Sequence, residues 1–296
     1  MRVSALTIIH NRAHLFAETL QSVLHQSYPV AEFIIIDDGS TDDLKDLLAT
    51  FDDERIRYFY FDQVGRVSKL RNLAIGKSTG DVLAFIDSDD IWHVDKIKRH
   101  VREMEAQNAF LVCADCQGFT EKGLMAKSVG EHLRGQQIDV RQQLLMKNLS
   151  MAFGTNFFFR KHLPDGQMVL LDERLISGDH DLLVMLVATQ KAVYIDEVLN
   201  YIRRHEGNVS AEGTITGLIA HLEYNRTLDK LLARKLISRE TYQRIRAANL
   251  CKAAGYYLEK RRYRRSNAYL MRALMSDFRM YYLKILIKSL LRTATG

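Results

Sequence analysis

The chain has 296 residues, 47% hydrophobic and 26% charged, which excludes a disordered or fibrous chain and allows one large domain with an appendage, or two domains. Residues 211–296 hold 18 Lys and Arg against 6 Asp and Glu, net +12; of the totals of 42 and 36, residues 1–210 keep 24 against 30, net −6. An acidic body with a basic tail suits a polyanionic surface: anionic lipid, nucleic acid or an acidic partner.

The first apolar run, residues 3–9, contains Ser4 and Thr7 and leads into His10-Asn11-Arg12, unlike a secretory leader. No run approaches the roughly 20 apolar residues of a spanning helix. That run is a strand, and Asn11 is expected to cap a helix over 13–26. Residues 32–37 form a second buried strand ending on Asp37 and Asp38. Gly39 permits a tight turn, and Ser40 or Thr41 can cap a helix reaching Phe51. A strand at 55–61 and a helix at 67–76 follow, the helix carrying Lys69, Arg71 and Asn72.

Residues 82–86 are a wholly apolar strand that stops on Asp87, Asp89 and Asp90. Such a run fits a strand buried on both faces of a parallel sheet. A helix is expected over 91–107, with Asp87 and Ser88 as caps in the plainer reading. A strand at 110–114 comes next; its Cys113 and Cys116, lacking a second cysteine pair, read as reduced thiols. Glycines 118, 123, 130 and 135 suggest a mobile loop over 117–138. Helix is expected at 140–146, strand at 156–160, and helix over most of 171–190 with Gly178-Asp179-His180-Asp181 near its middle. A strand at 192–203 and a helical tail complete the chain. Strand and helix alternate with short links, so the fold class is α/β: a Rossmann-like, mainly parallel sheet flanked by helices, with a basic helical C-terminal extension.

Ligands of open α/β sheets sit beyond the carboxyl ends of the strands. Carboxylates gathered there repel one another unless a cation or hydrogen-bond donor compensates. A nucleotide fits: one carboxylate accepts from a base N–H or a ribose hydroxyl, Asp89 holds a cation that neutralises a diphosphate, and Arg71 adds a fixed positive charge. Asp179 arrives later as a candidate general base, or as the acidic first turn of a helix.

In this order the segments 3–12, 34–42, 69–72, 82–92, 179–182 and 201–210 resemble the family 2 glycosyltransferases, whose nucleotide-sugar-binding fold is called GT-A. The resemblance covers about residues 1–210. It implies a catalytic domain there, with a nucleotide half of about 1–116 and an acceptor half of about 117–210, followed by a helical region at 211–296. It implies nucleotide contacts at Asn11, Asp37, Asp38, Arg71 and Asp87, and Mn2+ or Mg2+ at Asp89 with Asp87 and His205 beside it. It assigns the catalytic base to Asp179. The implied reaction is inverting transfer from a nucleotide-diphosphate sugar, with UDP the favoured nucleotide, to a glycan or lipid-linked hydroxyl in bacterial surface polysaccharide or glycolipid assembly. Such an enzyme is expected in the cytoplasm, peripheral on the inner face of the plasma membrane through its basic helices. The chain departs from the family pattern at Ile8-Ile9-His10 and at Gly178. Two other readings remain: a non-catalytic nucleotide-binding module, and a haloacid-dehalogenase-type phosphatase, which would expect Thr or Val where Trp92 stands. The tail carries no recognisable nucleic-acid motif.

Overall fold

The computed structural model describes residues 1–131, 156, 158–175, 178–205 and 215–294. The chain divides into two compact units, residues 1–205 and 206–296. The first contains β1 (Val3–Ile9), β2 (Glu32–Asp38), β3 (Ile56–Phe61), β4 (Val82–Phe85), β5 (Ile91–Trp92), β6 (Leu111–Thr120), β7 (Gly123–Ser128), β8 (Phe158–Arg160) and β9 (Ala192–Arg203). Its described helices are α1 (Ala13–Leu24), α2 (Leu44–Ala49), α3 (Val67–Lys77), α4 (Lys96–Ala106) and α5 (Asp179–Thr189).

The strands form one sheet in the order β3-β2-β1-β4-β8-β6-β9-β5, with β7 paired to β6. Strands β3, β2, β1 and β4 are parallel, β8 runs antiparallel to β4 and β6, and β6 is parallel to β9. From β1 the chain moves outward to β2 and β3 on one side, then crosses back from β3 to place β4 on the other side of β1. The crevice at their carboxyl ends is therefore a topological switch point.

Burial on both faces explains the continuous apolar runs. Phe33 and Ile35 of β2, with Val82 and Ala84 of β4, pack towards α1 and α4. The alternate residues Ile34, Ile36, Leu83 and Phe85 pack towards α3 and α5. Side chains from either face can thus reach over the same strand ends.

Several expectations are corrected. Asn11 does not cap α1: it has φ of 50°, and the Ala13 N–H donates to Asp42 Oδ2 at 2.8 Å, a cap from another loop. Ser40 and Thr41 do not cap α2 but bond to Asn11; Asp43 stands at that helix start. Residues 91–92 are not helical, because Ile91 and Trp92 pair with Tyr201 and Asn200 of β9, and α4 begins only at Lys96. Asp87 and Ser88 therefore cap no helix at Ile91. The stretch expected as a loop from 117 is instead the end of β6 and the hairpin to β7, with Gly123 at φ of 112° opening β7 just after the turn. The rest of that loop, 132–138, and the helix expected at 140–146 lie outside the described residues. Of the helix expected over 171–190, only Asp179–Thr189 is helical among the described residues.

The second unit comprises α6 (Ile215–Ala233), α7 (Arg239–Glu259), α8 (Tyr263–Ser276) and α9 (Met280–Ala294). Ser238 caps α7, accepting from the Thr241 N–H at 3.1 Å. Ala247, Leu250 and Ala254 of α7 pack with Leu270 and Ala273 of α8 and with Tyr282 and Leu286 of α9. On α9, Tyr282, Leu286 and Ser289 form the buried stripe, while Met280, Ile287 and Leu291 lie exposed on the opposite side.

Candidate active site

Apart from Arg71, which stands within α3, each candidate residue lies at or just after the carboxyl end of a strand or opens a helix beside it. Arg12 follows β1, Asp37 and Asp38 close β2, Asp87 and Asp89 follow β4, His205 follows β9, and Asp179 opens α5. Two charge clusters meet over the turn after β4, one from each face of the sheet.

From the face covered by α3 and α5, the buried Arg71 guanidinium donates to Asp179 Oδ2 at 2.9 Å and stands 3.5 Å from Asp87 Oδ1. Its central carbon lies 5.7 Å from the centre of the Phe85 ring. Burial without a carboxylate partner would be costly, so the two aspartates stabilise this placement. From the other side, Asp89 Oδ2 forms an ion pair with Arg12 and lies 3.0 Å from His205 Nε2. The structure thus brings Asp87, Asp89, Arg71, Asp179 and His205 to one edge.

The turn itself is held by Asp90 together with Thr19 and Arg203, which sequence reasoning passed over. The Asp90 N–H donates to Asp87 O at 3.1 Å, closing the turn. Thr19 of α1 donates to the Asp90 carbonyl at 2.8 Å. Buried Asp90 accepts from the Arg203 N–H at 3.0 Å, while Arg203 Nε donates to the Asp89 carbonyl at 2.9 Å. Arg203 also stacks its guanidinium over Phe119, 4.5 Å from the ring centre. Arg12 and Arg203 lay inside the segments 3–12 and 201–210; their being basic was the available signal.

Crowding of carboxylates has the expected electrostatic result. Burial, opposed by Arg71 and reinforced by Asp89 and Asp179, raises the Asp87 pKa to about 6. Burial, with Asp87 and Asp89 nearby, holds the Asp90 pKa well above the usual carboxylate range.

Asp37 and Asp38 are engaged by their own loops. Asp37 accepts from the Ser40 N–H at 2.8 Å and from the Tyr58 hydroxyl at 2.6 Å. Asp38 accepts from the Val64 N–H at 2.6 Å and the Gly65 N–H at 3.1 Å, and its carbonyl lies 2.8 Å from His10 Nδ1. Asn11 Oδ1 accepts from the Thr41 N–H at 2.7 Å, tying the loop after β1 to that after β2. Gly178 has φ of 67°, and a Cβ there would stand 3.3 Å from the Ser68 Cβ. Its departure from the family pattern thus matches a backbone that disfavours larger residues.

Among the described residues, no three His, Cys, Asp or Glu side chains converge as a ready-made metal cage. Asp89 and His205 supply an oxygen and a nitrogen donor 3.0 Å apart. This fits an ion such as Mn2+ or Mg2+ that takes few protein ligands and completes its shell from phosphate and water.

Residues 4–164 match the family model described as Glycosyl transferase family 2. The chain belongs to that family. It is 32% identical over 205 residues to a Rickettsia felis protein described as an uncharacterized glycosyltransferase, an alignment covering 68% of this chain and 33% of that protein. The chain thus spans about a third of that relative's length. It is 27% identical over 210 residues, covering 71% of this chain and 80% of the other, to UDP-Glc:alpha-D-GlcNAc-diphosphoundecaprenol beta-1,3-glucosyltransferase WfaP of Escherichia coli. Among solved structures, S. aureus TarS 1-349 in complex with UDP-GlcNAc superposes with a TM-score of 0.70 at 16% identity, covering 99% of this chain and 88% of that one. The mannosyltransferase PcManGT from Pyrobaculum calidifontis, in complex with GDP-Man and Mn2+, gives 0.60 at 15% identity, covering 99% and 86%. The fold is the GT-A fold, and family membership leaves the phosphatase reading without support.

Proposed function

We propose that the protein is an inverting glycosyltransferase moving a sugar from a nucleotide-diphosphate sugar, with UDP as the nucleotide, to a hydroxyl of a lipid-linked glycan. The observation that carries this reading is the pair of cation-compensated carboxylate clusters over the turn after β4, at the switch point of the sheet. Asn11, Asp37 and Asp38 shape the loops that seat the base and ribose, and Asp87 with Arg71 lines the floor beneath them. Asp179, oriented by Arg71 and by the His180 N–H at 2.9 Å, takes the proton of the acceptor hydroxyl. The acceptor oxygen then bonds to the anomeric carbon as the bond to the departing diphosphate breaks, so no covalent enzyme intermediate is needed. Asp89 and His205, with Asp87 nearby, are the residues that would hold Mn2+ or Mg2+. Such an ion, when bound, neutralises the leaving diphosphate.

WfaP's name describes a diphosphoundecaprenol acceptor, which supports a lipid-linked acceptor in bacterial surface polysaccharide assembly here. Among the described residues no helix is long and apolar enough to cross a membrane. The second unit exposes Met275, Phe278, Tyr281 and Leu291 close in sequence to Arg272, Arg279, Lys284 and Lys288. This mix suits reversible docking on the anionic inner face of the plasma membrane, with the catalytic unit in the cytoplasm. Failure to co-sediment with anionic vesicles at low salt would remove the docking part alone.

The direct test is calorimetric titration with UDP, GDP and dTDP, each with and without Mn2+, on wild type and Asp89→Ala. Metal-dependent binding of one nucleotide, lost in the variant, is expected. No binding of any nucleotide would leave a non-catalytic module as the better reading.

A further inference from the structure

The oxygen best placed to hold a divalent cation already has a cation of the chain's own. Asp89 Oδ2 is the atom that meets Arg12 Nη1, and the same oxygen lies 3.0 Å from His205 Nε2. Arg12 Nη1 and His205 Nε2 stand 3.5 Å apart. A guanidinium has donors only and keeps its charge across the working pH range, so it is not a metal ligand. It competes with a metal for the carboxylate, whereas an imidazole nitrogen such as His205 offers is a metal ligand.

The two arginines of the site differ in exposure. Arg71 is 5% exposed and bridges Asp87 and Asp179 from beneath, so no single carboxylate can release it. The Arg12 side chain is 22% exposed and springs from a fixed point. The Arg12 carbonyl accepts from the Leu15 N–H at 3.0 Å and the Phe16 N–H at 3.1 Å, which anchors its backbone to the first turn of α1. From that anchor a long side chain can turn from Asp89 to a neighbouring anion without moving the helix. Its position after β1, beside the end of β4, is the switch-point crevice where the diphosphate would enter.

We infer that Arg12 is a built-in counter-ion that makes metal binding conditional on the nucleotide. It holds Asp89 until a nucleoside diphosphate arrives, then transfers its charge to the diphosphate and releases the carboxylate to the divalent cation. The diphosphate carries enough negative charge to accept both a guanidinium and a metal, and guanidinium matches phosphate oxygens in paired hydrogen bonds. Without it, metal and guanidinium would share one carboxylate and repel each other. Metal and nucleotide therefore bind with positive coupling, and linkage requires each to tighten the other by the same factor. Arg12 acts here as a positioning residue. The inference rests on the nucleotide-sugar reading of the site proposed above.

The experiment is a titration of the full chain with Mn2+ alone, with UDP alone, and with Mn2+ at saturating UDP, read by the electron paramagnetic resonance of free Mn2+ and by calorimetry. Wild type, Arg12→Gln and Arg12→Lys are compared, with circular dichroism to establish folding. Wild type is expected to bind Mn2+ at least tenfold more tightly with UDP than without. Arg12→Gln is expected to bind Mn2+ alone at least tenfold more tightly than wild type and to lose most of the coupling. Arg12→Lys, which keeps the charge, should retain the larger part of it. Equal Mn2+ affinity of wild type with and without UDP would overturn the inference, and this result needs no variant. An Arg12→Gln protein that is folded and binds Mn2+ alone as wild type does would also overturn it. If wild type binds no UDP in any mixture, the nucleotide-sugar reading itself falls, an outcome distinct from both.

Discussion

Glu32 and Asp87 belong to opposite ends of the same parallel block, and their protons are held in opposite directions. Glu32 opens β2 at the amino edge. Burial alone would raise its pKa, but the Ser4 hydroxyl at 2.6 Å, the Thr79 N–H at 2.6 Å and Arg57 outweigh burial and lower it to about 2. Asp87 follows β4 at the carboxyl edge, where burial and the carboxylates Asp89 and Asp179 prevail over Arg71 and raise it to about 6. Donors surround one carboxylate, whereas carboxylates surround the other. The amino edge is therefore electrostatically satisfied and serves the fold, while the carboxyl edge gains from added positive charge, as the binding proposed for it would supply.

The sharpest break of this comparison is at the carboxyl edge. Asp89→Ala and Asp179→Ala should each lower kcat/KM by about a thousandfold or more, roughly 4 kcal/mol. The melting temperature should be nearly unchanged in Asp89→Ala and lower in Asp179→Ala, which leaves the buried Arg71 with Asp87 alone. Asp179→Ala should keep nucleotide affinity within about threefold, since the base is not needed to hold the donor. Wild-type transfer by either variant, measured in steady-state assays, would remove the role given to that residue.

Next in size is the amino edge, read through pH. The folded pKa of Glu32 is depressed, so its contribution is fully present above its unfolded value near 4.5 and is lost as the pH falls through about 2. That window amounts to about 3 kcal/mol. Glu32→Gln should flatten the acid limb of a stability-versus-pH curve, and an unchanged limb would mean that other carboxylates dominate it. At neutral pH the same substitution should cost about 2 kcal/mol in denaturant unfolding while leaving nucleotide affinity as it is. The smallest effects belong to the supports of the turn. Thr19→Val should cost about 1 kcal/mol through loss of its bond to the Asp90 carbonyl, measured by thermal unfolding.

How much was legible depended on how local the cause was. The strands at 3–9, 32–37 and 82–86 announced themselves because burial on both faces leaves no polar alternation to confuse the pattern. Their acidic ends marked the edge where the charge clusters gather, for the same reason: carboxylates at the end of a buried strand have no purely apolar explanation. By contrast, Ile91 and Trp92 are as apolar as a helix start, and only pairing with β9, over a hundred residues later, makes them a strand. Gly118 and Gly123 suggested a loop, yet one lies within β6 and the other opens β7, because the β6–β7 ladder outweighs glycine's preference for irregular backbone. The cap of α1 came from Asp42, and no pattern next to Ala13 could have named it.

By itself the sequence determined the α/β class, the order of buried strands and the chemical character of their ends, because these follow from residue types and periodicities among chain neighbours. Only the tertiary structure decided which cation meets which carboxylate. Arg12 reaches Asp89 across 77 positions and His205 reaches it across 116, pairings that exist only once the mixed sheet has set β1, β4 and β9 in one framework.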